Sequence, residues 1–158
     1  MAQYFVLSSH GVQTVAETPG PGSFENVSGI GWTDVAGLRQ GWGVTYRGRA
    51  RVGCWFHSPI PSLQLPALGQ AYAKLGELAL NFDAQGTARV TSVHLWSGNQ
   101  RIKTYDGLNL AGVQTFRQLY YPELDLPGTG LNVCAAVAFG TSASNVVFMG
   151  AYGRFVTP

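Results

Sequence analysis

At 158 residues the chain has the length of one domain, spanning 1–158, with enough material to bury a real core. Hydrophobic residues make up 46% of it, with 21 glycines and 8 prolines; this excludes a polar disordered segment and favours short strands joined by tight turns. The net charge of +2 excludes the strongly basic patch that a nucleic-acid partner demands, and no apolar run reaches the length of a membrane span.

Charged residues are only 11%, against roughly 25% in ordinary soluble domains. Such a surface predicts cover from another subunit or a ligand, hence a homo-oligomer, although a neutral Ser/Thr/Asn/Gln surface has the same composition. Met1 and the residues after it lack a basic segment and a long apolar stretch. The expectation is cytoplasmic synthesis without a classical signal peptide, with non-classical release left open.

Residues 4–7 read as a short strand, His10-Gly11 as a turn, and residues 12–17 as a second strand. The TPGPG run at 18–22 is a rigid loop. Two glycine–tryptophan segments follow, Ile30-Gly31-Trp32-Thr33 and Gly41-Trp42-Gly43-Val44-Thr45-Tyr46, where glycine lets an indole pack against a neighbouring strand. Arg47, Arg49 and Arg51 alternate, so in a strand they share one face: either an anion patch or a charged edge that discourages aggregation. Residues 52–56 form a further strand, which Pro59 and Pro61 terminate. A short helix fits only at 63–72, weakened by Pro66 and Gly69. Residues 74–82 are a strand ending in the turn Asp83-Ala84-Gln85-Gly86.

Residues 88–112 organise the rest. In 88–96 the side chains alternate, Val90, Ser92, His94 and Trp96 to one face and Thr91, Val93 and Leu95 to the other, because strand side chains repeat every two residues. Bulk on both faces places this strand inside a sheet. Ser97-Gly98-Asn99-Gln100 is turn chemistry, residues 101–105 return, and Asp106-Gly107 reverses again. Residues 113–121 are the next strand, with a loop from Pro122 to Gly128. The small apolar run 131–139 reads as a strand covered on both faces. The last strand, 145–155, carries Gly150 and Gly153, which suggest a bulge or a close backbone approach. The predicted fold is all-β: an antiparallel two-sheet β-sandwich, jelly-roll-like, with a closed β-barrel as the alternative. Val93, Leu95, Val133, Ala135, Val137, Val146 and Phe148 are its expected core.

Cys54 and Cys134 lie in separate apolar runs and read as two buried thiols. Glu123 and Asp125 are the nearest thing to paired acids, but Pro122 and Pro127 put them in a loop, and no nucleophile elbow, phosphate loop or dinucleotide fingerprint is present. No catalytic residue, metal ligand or cofactor is therefore assigned. Trp96 beside Asn99 and Gln100 at a hairpin tip fits sugar recognition, with an indole to stack on a pyranose and amides for its hydroxyls.

The segments Trp55-Phe56-His57-Ser58-Pro59-Ile60-Pro61 and Gly107-Leu108-Asn109-Leu110-Ala111-Gly112 resemble those of an uncharacterised family of small single-domain bacterial proteins. The resemblance extends to His10-Gly11 with Val15 and Glu17, to Gly41-Trp42-Gly43 and to Val93-His94-Leu95-Trp96-Ser97-Gly98. It implies a bacterial, β-rich, single-domain protein and carries no activity. The leading function is a non-catalytic module for a neutral glycan, using Trp96, Asn99 and Gln100 in a homo-oligomer. A self-assembling structural subunit is the alternative, in which the uncharged surface meets another copy. The third reading is a cupin-like metal-dependent enzyme in which His10, His57 and His94 converge.

Overall fold

A computed structural model describes residues 3–17, 22–25, 37–62, 73–127 and 130–157. Its strands are β1 (Gln3–His10), β2 (Val15–Ala16), β3 (Phe24–Glu25), β4 (Leu38–Gln40), β5 (Gly43–Gly48), β6 (Gly53–Ile60), β7 (Lys74–Ala84), β8 (Ala88–Ser97), β9 (Gln100–Tyr105), β10 (Gly112–Leu124), β11 (Leu131–Phe139) and β12 (Ser144–Thr157), with one 3-10 turn at Gly11–Gln13. They form two antiparallel sheets, and neither closes on itself. The seven-stranded sheet runs β10-β7-β12-β5-β3, with β1 also on β12 and β4 also on β5; the five-stranded sheet runs β2-β6-β11-β8-β9. This is the β-sandwich that the turn spacing predicts.

The alternation of each strand sends one set of side chains between the sheets. Val93, Leu95, Val133, Val146 and Phe148 are fully buried there, with Ala135 and Val137 at 1% exposure. Aromatic rings join the sheets near the middle: Phe56 of β6 lies 4.9 Å from Tyr46 of β5 and 5.0 Å from Phe148 of β12, centroid to centroid. Tyr46 keeps its hydroxyl satisfied by donating to the Thr14 carbonyl at 3.0 Å.

Several expectations give way, each for a local reason. Val90 points into the core rather than beside His94, because the β8–β11 register shifts between Ala136 and Val137 and Thr91 absorbs the extra residue. Strand β6 does not stop at Pro59, which pairs with Asn132. Its other neighbour, β2, contacts only Phe56 and His57, so on that side Pro59 faces no partner strand and its missing N–H costs no ladder bond. Likewise β10 runs through Pro122 to Leu124 as an edge strand, with the irregularity between Leu119 and Leu124 taking up the proline.

Arg47, Arg49 and Arg51 do not share a strand face. β5 ends at Gly48, Arg47 pairs with Glu25 at 3.1 Å, and Arg51 turns the chain at φ 65°. Trp42 is not packed against a strand but stands 52% exposed in the β4–β5 turn. The bulge expected near Gly150 is present between Phe148 and Gly150, and a side chain at 150 would meet the Ser9 carbonyl at 2.9 Å. The Ile30–Thr33 segment, the helix candidate at 63–72 and most of the TPGPG loop lie outside the described residues.

Candidate functional site

The outer face of the five-stranded sheet carries the candidate site. Its central strand, β11, was expected to be covered on both sides, but only Leu131, Val133, Ala135, Val137 and Phe139 face the core. The outward set is small: Asn132, Cys134, Ala136 and Ala138. The flanking strands present large outward groups, Trp55 and His57 on β6 and His94 and Trp96 on β8. Register fixes the rows: Cys134 lies between His57 and His94, Ala136 between Trp55 and Ser92, and Asn132 between Pro59 and Trp96. Two strand spacings separate β6 from β8, about 10 Å. Small residues down the middle and large ones on either side make a trough.

The trough is a depression of about 580 Å³ whose lining includes Trp55, Trp96, His57, His94, Cys134 and Asn132. That lies within the roughly 300–1,000 Å³ typical of small-molecule sites. A shallower depression continues past His57 and Asn132 toward Pro59 and Gly130. The Trp55 and His94 rings meet across β11 with centroids 4.5 Å apart and planes tilted by 43°. His94 Nε2 lies 3.0 Å from Asp106 Oδ1, and the hydrogen bond from His94 is the main cause that holds the Asp106 carboxyl below its ordinary range. On the far side the Arg101 guanidinium sits over the Trp96 ring at 5.8 Å.

At the floor, Cys134 Sγ lies 3.1 Å from His57 Nδ1, and the Asn132 amide nitrogen lies 3.2 Å from the same ring nitrogen. Cysteine, histidine and asparagine together suggest a thiol nucleophile, but the chemistry opposes it. Burial, with a smaller contribution from Glu17, pushes the Cys134 thiol up to about 12. A reactive cysteine needs surroundings that favour thiolate, whereas this one is held as the thiol, able to donate to the imidazole. Cys54 is likewise free and buried.

Of the residues assigned from sequence, Trp96 and Asn99 line the depression, with Trp96 half-buried and Asn99 exposed. Gln100 pairs with Ser97 at the hairpin end and is exposed outside that lining. Sequence reasoning missed Trp55, Asn132, Arg101 and Glu17. Trp55 and His57 do alternate along one strand, which was the available signal. Their opposition to His94 and Trp96 depends on register across β11.

The three histidines do not converge. His57 and His94 share this trough, but His10 ends β1 in the other sheet, where its Nδ1 accepts from the Val12 N–H at 3.3 Å. Among the described residues no three His, Cys, Asp or Glu side chains are grouped to hold a metal. Asp125 pairs with Lys74 at 3.0 Å and Glu123 lies on β10, so that acid pair stands on the opposite sheet.

The outer face of the seven-stranded sheet is built differently. Glu77 of β7, 6% exposed, accepts from Arg117 at 2.6 Å, Tyr152 at 2.7 Å and Arg154 at 3.2 Å. Around this network stand exposed apolar side chains: Tyr4 and Val6 on β1, and Val113, Leu119 and Tyr121 on β10.

No family model and no curated protein sequence matches the chain. Among solved structures it is similar to a family two carbohydrate esterase from Cellvibrio japonicus, at 8% identity and a TM-score of 0.44, covering 99% of this chain and only 35% of that one. It is also similar to a carbohydrate-binding module in complex with β-1,4-galactotriose, at 6% identity and a TM-score of 0.43, covering 94% of this chain and 86% of that one. A family 29 carbohydrate-binding module from Piromyces equi is 13% identical with a TM-score of 0.41, covering 99% and 91%.

Proposed function

We propose that the protein is a non-catalytic binding module that takes a glycan in the trough on the outer face of its five-stranded sheet. The observation that carries this reading is the pair of half-buried indoles, Trp55 and Trp96, standing on either side of a floor of small residues. A sugar ring has an apolar face for an indole and a rim of hydroxyls; here that rim meets Asn99, His57 and Asn132. In this reading Trp96 and Trp55 are the stacking platforms. The unactivated Cys134 thiol argues against chemistry at the same floor. A glycan array with the native protein, Trp55→Ala and Trp96→Ala tests this. Binding that both variants weaken is the expected result, and a silent native protein defeats the reading.

A second reading rests on a different face. Tyr4, Val6, Val113, Leu119 and Tyr121 leave apolar surface open on the seven-stranded sheet, and a second copy of the chain would cover it in a symmetric homo-oligomer. Sedimentation tests it: a dimer or larger species that Leu119→Lys dissociates supports assembly there. A monomer at tens of micromolar removes it.

A further inference from the structure

The charges around the trough are not balanced. Arg101 sits over the Trp96 ring at 5.8 Å, and Asp106 has its partner in His94 at 3.0 Å, with Arg101 only a minor contributor to holding that carboxyl down. Glu17 is paired with no cation among the described residues. It follows β2, its backbone N–H donates to the Trp55 carbonyl at 2.8 Å, and its exposed carboxylate lines the depression without a hydrogen bond or ion pair to any described residue. Its field reaches the floor, where it adds to the effect of burial in raising the Cys134 thiol. An anion beside two indole faces is a setting for a cation, since both the carboxylate and the ring quadrupoles attract one.

We propose that the trough selects a sugar carrying a protonated amine, a 2-amino-2-deoxyhexose unit, with its ammonium on Glu17 and its apolar face on the indoles. This rests on the glycan reading above and narrows it. The neutral glycan expected from composition supplies the stacking but leaves Glu17 without a counter-charge. An acidic sugar meets Glu17 as a like charge, while Arg101, the one arginine or lysine among the described lining residues, is packed over the Trp96 ring. Non-specific attraction of a polycation is opposed by the chain's own net charge of +2.

Titration calorimetry with three β-1,4-linked tetramers of one backbone tests the proposal: glucose, N-acetylglucosamine and glucosamine, at low salt and mildly acidic pH. The glucosamine tetramer is expected to bind about tenfold tighter than the other two, the worth of one charge-assisted hydrogen bond. Glu17→Gln removes that preference and keeps the residual affinity for the glucose tetramer. Equal affinity for the glucose and glucosamine tetramers overturns the amine selection and leaves the glycan reading standing. A preference that survives Glu17→Gln is adsorption elsewhere and also overturns it. Failure of all three to bind rejects the amine, and the array with the indole variants then decides the wider reading separately.

Discussion

Trp55 and Phe56 are neighbours in sequence, and the structure predicts opposite phenotypes for their removal. Phe56 is fully buried between the sheets against Tyr46 and Phe148. Phe56→Ala opens a cavity and costs about 3–5 kcal/mol. Trp55 points the other way, half-buried on the outer face with its ring tilted against that of His94. Its truncation removes an aromatic pair and part of a buried surface but no core volume, about 1–2 kcal/mol in all. For a glycan seated in the trough, Trp55→Ala loses about 1–3 kcal/mol of affinity, roughly five- to 150-fold. Phe56→Ala, measured where it is still folded, retains affinity. Urea denaturation supplies the first pair of numbers and titration calorimetry the second. If Trp55→Ala unfolds as easily as Phe56→Ala, or binds as tightly as the native protein, the assignment of that face as a binding surface is wrong.

Other outcomes follow from the same geometry. Glu77→Gln leaves two guanidinium groups facing each other and costs about 1–3 kcal/mol at neutral pH. The hydrogen bond from Arg117, then that from Tyr152, holds the Glu77 carboxyl below its ordinary range. A depressed folded value gives stability that is complete above the unfolded value of about 4.3 and lost as pH falls through the folded one. The Tm gap between native and Glu77→Gln should therefore close on acidification; a gap that stays constant contradicts the role of the ion network. Burial pushes Cys54 up to about 11 and Cys134 up to about 12, so iodoacetamide at mildly alkaline pH should label neither until urea unfolds the chain. Mass spectrometry of native protein labelled at Cys134 would refute the protonated floor.

What was legible in the sequence is what the period of a strand dictates. Val93 and Leu95 alternate with His94 and Trp96, and the β8–β9 turn follows from Gly98, at φ 57°, and Asn99. Local rules failed where a neighbour decides. Val90 changed faces because a bulge at Thr91 reset the alternation, and nothing in residues 88–96 marks it. Pro59 and Pro122 signal strand ends by propensity, yet each sits beside an open edge that tolerates a missing N–H. The run 131–139 looks uniformly apolar because alanine and cysteine serve a trough floor as well as a core. Trp55, Glu17 and Asn132 gain their meaning only from the order β2-β6-β11-β8-β9, which joins segments far apart in the chain.

The two outer faces of the sandwich use their charges in opposite ways, and this separates a binding surface from a packing one. On the seven-stranded sheet Glu77 accepts from two arginines and a tyrosine, so its polar centre is already satisfied and only the apolar rim is left to be covered. Covering such a rim needs area and shape rather than a polar ligand. On the five-stranded sheet the rim and floor are polar, the indoles are partly open, and the Glu17 carboxylate points at a concavity with no partner among the described residues. A carboxylate beside an apolar wall loses hydration when anything packs there, so only an occupant that returns hydrogen bonds or charge can seat itself without penalty. A flat apolar partner would strand Glu17; a sugar, with donors around its edge and carbon on its face, would not. That asymmetry is why we propose the trough for a ligand and, as the second reading, the opposite face for self-association.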